Sequence, residues 1–233
     1  MNPATTTPAQ APVPFPLSGL LGFNAGYVDT AGFLALSGLF TAHVTGNFVT
    51  LGASLIQGTS GAAAKLSALP VFCLFVVLTR MVSNAILAKQ QQPMRRLILA
   101  KTALLLIAGI MMIALGPFPD ANALPAYIAG MLMVGAMAVQ NAMQRIHLPS
   151  APPSTLMTGN TTQVMIDLTD WMKGVNGEQR AAIKTRLGKM LPAIGSFALG
   201  CALGALLYYF AGMWCFALPP VIAAASACYT PGK

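Results

Sequence analysis

A carboxylate and a histidine embedded in apolar sequence are the first residues with chemistry to offer. Asp29 lies in the long apolar stretch 17–40, and His43 follows that stretch directly. A carboxylate at membrane depth is costly, and such groups serve proton or cation coupling or else a structural ion pair or helix–helix hydrogen bond. An imidazole titrates near neutral pH, so His43 is a candidate proton shuttle, with a satisfied structural histidine as the plain alternative. Thr45-Gly46-Asn47 comes next and returns as Thr158-Gly159-Asn160. Thr can cap a helix, Gly allows close approach to the backbone, and Asn brings an amide donor and acceptor. Simple capping of two short helices is the plain alternative here. Gln140 and Asn141 hold, in the second half, the place that Asp29 holds in the first. The candidate site is therefore Asp29 and His43 for proton coupling, with Thr45, Gly46, Asn47, Thr158, Gly159, Asn160, Gln140 and Asn141 for substrate. No metal set and no cofactor are expected. Cys73, Cys201, Cys215 and Cys228 all lie in apolar segments without a Cys-x-x-Cys spacing, which suits packing rather than ligation.

The elements that must position these residues are set by composition. The chain has 233 residues, 56% hydrophobic and 8% charged, where a soluble domain carries about 25% charged. Apolar runs of ~20 residues mean membrane-crossing helices. Six such spans are expected, over 17–40, 66–88, 97–115, 124–145, 191–210 and 214–229, the last interrupted by Pro219-Pro220. The runs opened by the two Thr-Gly-Asn motifs, 48–56 and 161–171, are too short to cross a ~30 Å hydrocarbon core. The net charge of +8 gathers in two loops, Lys89 to Lys101 and Lys173 to Lys189. That is membrane topology rather than nucleic-acid binding. The loops sit at non-equivalent places in the two halves, and each half holds an odd number of spans. The expected fold is an all-α polytopic membrane protein: six transmembrane helices plus two short re-entrant half-helices, arranged as two inverted repeats. Repeat one covers about 17–115 and repeat two about 124–229. Both termini and both basic loops would be cytoplasmic.

Ala25–Asp29 pairs with Ala136–Gln140, and Leu69-Pro70 with Leu191-Pro192. Residues 1–16, rich in Pro, Thr and Ala, are expected to be a disordered tail. They lack a signal peptide's basic start, so the first helix should be retained. Gly22/Gly26 and Gly200/Gly204 are small-residue stripes suited to close helix packing. Arg80 and His147 fit interfacial roles, and Asp167 could line an entrance.

Gly26-Tyr27-Val28-Asp29, Gly32-Phe33 and His43-Val44-Thr45-Gly46-Asn47 resemble the YoaK family of bacterial membrane proteins. Gln140-Asn141-Ala142 and Thr158-Gly159 fit its pattern as well, and Val44 departs from it where Met is common. The resemblance implies a six-spanning protein of the bacterial inner membrane and no particular substrate. No nucleophile elbow, phosphate loop or zinc-protease helix is present, so an enzyme is not expected. The expected function is secondary transport, or a channel, for a small solute or ion, with a midplane site at the paired motifs. A non-transporting assembly partner or sensor is the alternative. Converging helix N-termini suit an anion or carbonyl, whereas Asp29 suits a cation or proton. The expected partners are the lipid bilayer and that solute, not nucleic acid, and a homodimer is an open option.

Overall fold

The computed structural model describes residues 15–230, so nearly all of the expected tail lies outside the described residues. Within them there are helices and no strand: α1 (Phe15–Ala35), α2 (Gly46–Gln57), α3 (Ala62–Ala88), α4 (Pro93–Leu115), α5 (Leu124–His147), α6 (Met157–Lys173), α7 (Gly177–Ala211) and α8 (Leu218–Ser226). Two 3₁₀ segments, Gly212–Ala217 and Ala227–Tyr229, flank α8. Four stretches are long and apolar enough to cross a membrane: α3, α4, α5 and the run Gly177–Tyr229. Helix α1, with 21 residues, is ~31 Å long at 1.5 Å per residue. It carries Asn24 and Asp29, yet both are buried among other helices, so lipid would not meet them. The outward faces are apolar instead, with Leu74, Val77, Leu106, Ile110, Leu199 and Phe210 exposed. Such a surface matches a bilayer and would be a liability in water. The described part of the molecule is membrane-protein-like and all-helical.

Several boundaries differ from the sequence expectation. Helix α1 stops at Ala35 rather than Phe40, because Ser37 and Gly38 adopt positive φ (51° and 85°) and turn the chain. The second basic loop is largely helix. Only 174–176 connects α6 to α7, and Arg180, Lys184, Arg186 and Lys189 ride on the first turns of α7. The Asn176 side chain caps that start by accepting from Gln179 N at 2.9 Å, with Glu178 favourably placed in the first turn. Lys101 is not in a loop at all. It sits two turns inside α4 and is fully buried. Pro219 and Pro220 mark the beginning of α8 rather than its middle, where missing N–H groups do no harm.

The halves interlock. Helix α1 packs on α7 and α8, α5 packs on α3 and α4, and α4 meets α8. The first helix of each half thus leans on the third helix of the other. At the α1–α7 crossing the backbones touch: a Cβ on Gly26 would lie 2.2 Å from Phe197 O, and one on Gly200 would lie 2.0 Å from Phe23 O. Only glycine permits that approach. The two ends of the molecule are distinct. One gathers Ser37, Ser60 and Asn122, where Asn122 Oδ1 accepts from Gly61 N at 3.0 Å and Ser60 Oγ from Ala121 N at 3.4 Å. The other packs Leu17, Met94, Leu148 and Ala227 in one cluster. There Ser83 meets His147 at 2.8 Å, and Lys189 donates to Ser150 O at 3.3 Å. The exposed Lys89, Arg95 and Arg96 belong to that second end.

Candidate functional site

After its turn at Ser37-Gly38 the chain folds back along α1, and Asp29 is what holds it there. Asp29 Oδ1 accepts from Thr41 N and Ala42 N, both at 2.7 Å, and more weakly from His43 N at 3.4 Å. Oδ2 receives the His43 ring at 2.7 Å through Nδ1. A carboxylate only accepts, which makes Nδ1 the protonated nitrogen. The Asp29 side chain is 6% exposed and that of His43 is 36%. The imidazole therefore looks outward from a buried counter-charge, with its edge against Phe197 of α7 at 5.3 Å between ring centres. Asp29 lies six residues before the end of α1, so the loop dips about 9 Å below that end at 1.5 Å per residue.

Asn47 closes this loop. Its Oδ1 accepts from Phe40 N at 2.9 Å and its Nδ2 donates to Phe40 O at 2.8 Å. Thr45 stands at the N-cap position of α2 but makes no capping bond, and it is exposed. A Cβ on Gly46 would come within 2.9 Å of the Phe40 ring. The second motif repeats the clip. Asn160 Nδ2 donates to Pro153 O at 3.0 Å, again seven residues back. Its other half is missing because residue 153 is proline and has no N–H to give. Thr158 and Gly159 are exposed, and Gly159 faces open space. Both motif asparagines are thus engaged by their own loops.

In the second half the loop is held by amides. Gln140 Nε2 donates to Ser154 Oγ at 2.7 Å and to Leu21 O at 2.9 Å. Ser154 bonds in turn to Gln144 Oε1, and Thr155 Oγ1 donates to Asn141 Oδ1 at 2.5 Å. Gln140 lies seven residues before the end of α5, a dip of about 10 Å. The Gln140 oxygen is met by Lys101, expected in the first basic loop and found inside α4: Lys101 Nζ donates to Gln140 Oε1. Lys101 has no carboxylate beside it; the ion pairs among the described residues are His43–Asp29 and Arg186–Asp167. Its burial was foreshadowed by spacing. Met94, Leu97, Lys101, Leu105, Ala108 and Met112 recur every three or four residues and form the buried stripe of α4. Gln144 Nε2 and Asn24 Oδ1 are buried without a partner, which leaves the interior with unused polar capacity. The two clusters touch α1 at Asp29 and Leu21, eight residues or about 12 Å apart along its axis. They are separate groups rather than one merged site on that helix.

Each short helix is also tied to the next. Asp167 of α6 receives Arg186 of α7 at 2.6 and 2.9 Å, and this partner holds the Asp167 carboxyl below the usual carboxylate range. In the first half Lys65 of α3 donates to Ser54 of α2. No cluster of metal-ligating residues occurs among the described residues.

A family model described as a protein of unknown function (DUF1275) matches residues 17–229. The chain belongs to this family. That agrees with the resemblance carried by the first motif and its flanks, and DUF1275 membership itself assigns no activity. No curated protein and no solved structure matches the chain.

Proposed function

We propose that this DUF1275 protein carries a small solute or ion across the bacterial inner membrane, with protons coupled through Asp29 and His43. The observation that carries the reading is the pair of back-folded loops. Inside a bundle with an apolar exterior, each is pinned about 10 Å below a helix end by polar side chains. Irregular backbone at such depth is tolerated where it is buried or lines a cavity, and broken helices of this kind form transporter sites. The clusters differ in charge, one built on a carboxylate and imidazole, the other on an ammonium and amides.

In this reading α1, α3, α4, α5, α7 and the run 212–229 make six crossings, with α2 and α6 re-entrant. The interlocked contacts of α1 with α7 and of α5 with α3 suit two inverted repeats. The end bearing Lys89, Arg95 and Arg96 would be cytoplasmic by the positive-inside rule, along with both termini. The test is uptake into proteoliposomes under an imposed pH gradient, for wild type and Asp29→Asn. Wild-type flux should follow the gradient, and the variant should fold but lose that dependence. Identical pH dependence in both would end the coupling role.

A non-transporting role as an assembly partner or sensor draws support from one observation: Asn47 and Asn160 bond to their own loops and leave Thr45 and Gly159 facing outward. A stoichiometric partner in membranes, with no flux of any tested solute, would favour it.

A further inference from the structure

The ties between the short helices and their successors are unequal, and the inequality points to a ligand. Asn47 and Asn160 hold the same place in the repeated Thr-Gly-Asn, and seven residues further on Ser54 of α2 stands where Asp167 stands in α6. The opposing cation comes five residues before Pro70 in α3, as Lys65, and six before Pro192 in α7, as Arg186. In the second half the cation has its carboxylate. In the first half the carboxylate position is a serine, and the cation is left with a hydroxyl. Lys65 is 3% exposed and Ser54 also 3%, so this is a buried ammonium without a counter-charge among the described residues. An ammonium has three donors, and Ser54 uses one. Leaving a buried charge uncompensated is strongly unfavourable.

Lys65 lines a cleft of about 620 Å³ between α2, α3 and the turn after α1. The cleft is ringed by hydroxyls, from Ser37, Thr50, Ser54, Thr59 and Ser60. The ammonium reaches the turn itself: a Cβ on Gly38 would lie 3.8 Å from Nζ. A cation among hydroxyl donors, with no acid lining the cleft, is the environment that a small oxyanion completes.

We infer that this cleft binds a small oxyanion, a carboxylate or phosphate group, which pairs with Lys65 as Asp167 pairs with Arg186. The site stands whether or not the protein transports, since binding is measured without flux. The anionic oxygen could belong to a free solute or to a lipid headgroup. Purified protein in uncharged detergent should melt at higher temperature with inorganic phosphate or succinate than with chloride at equal ionic strength. Lys65→Gln should weaken that binding roughly tenfold or more. Ser54→Asp supplies the carboxylate internally, so it should fold at least as well as wild type and lose the response. Because that variant removes the site by filling it, it keeps the test decisive even if Lys65→Gln does not fold. Stabilisation by phosphatidylglycerol vesicles, with none from phosphatidylcholine vesicles or free anions, would name a headgroup as the source. A full response in Ser54→Asp would overturn the inference. So would the absence of any response in wild type to phosphate, succinate and phosphatidylglycerol alike.

Discussion

Asparagine at positions 47 and 160 is a covalently attached stand-in for a peptide group, and its value depends on what the opposite backbone can return. Facing Phe40 it makes both halves of an amide pair; facing Pro153 it makes one. Asn47→Ala should therefore cost about 2 kcal/mol and Asn160→Ala about 1 kcal/mol, at roughly one per bond lost. Thermal unfolding in detergent reads the difference, and equal losses would contradict the clip. Asp29 is subtler. In the Asp29→Asn variant the retained oxygen can still accept from Thr41 N and Ala42 N, while the new amide nitrogen can donate to a His43 ring whose proton has moved to Nε2. Asp29→Asn should thus stay folded, whereas Asp29→Leu leaves the N–H groups of Thr41, Ala42 and His43 and the His43 ring without this acceptor and should not. Near-equal yields of folded protein for the two variants would refute this.

Between helices, two kinds of contact matter. The α1–α7 crossing is backbone on backbone, so Gly200→Leu has no space to enter and should cost ~3 kcal/mol or more. Gly195 on the same helix faces open space, and Gly195→Leu should be tolerated. If both variants unfold alike, close packing is not the reason. The α6–α7 tie is electrostatic. Arg186 depresses the Asp167 pKa in the folded protein, so its stabilisation is complete above the unfolded carboxyl value of about 4. It is lost as pH falls through the lower folded value. Amide exchange in α6, corrected for its intrinsic pH dependence, should be flat from neutral down to that region and then accelerate, and Asp167→Asn should exchange fast throughout. Acceleration beginning near neutral pH would exclude Asp167 as the group responsible.

For the whole molecule, the gathering of Ser60 with Asn122 at one end, and of His147 with Ser83 at the other, predicts accessibility. Cysteines at Thr59 and Asn122 should react with an impermeant reagent from one side of the membrane, and cysteines at Gln91 and Asn176 from the other. In intact cells the first pair should be the labelled one. Labelling of Thr59 and Asn176 from the same side would rule out the inverted arrangement.

What the chain determined by itself was whatever depends on composition and on short covalent spacing. Apolar length made the helices, the scarcity of charge made them membrane helices, and the repeated Thr-Gly-Asn marked two equivalent short segments because each lies directly beside the loop it clips. The glycine stripes of α1 and α7 were legible as close-packing faces, since glycine spaced by four leaves one bare face on a helix, but not that the two faces meet each other. Partnership across long sequence separation was not legible. Lys101 falls on the apolar stripe of α4 although it reads as one more basic residue near Arg95 and Arg96, and only the arrival of α5 gives it Gln140 as a partner. Arg186 reads as loop charge until α6 and α7 are laid side by side and Asp167 meets it. The unmatched charge of Lys65 emerges last, because the lack of a counter-charge is a property of everything that folds around a residue, and no stretch of sequence contains it.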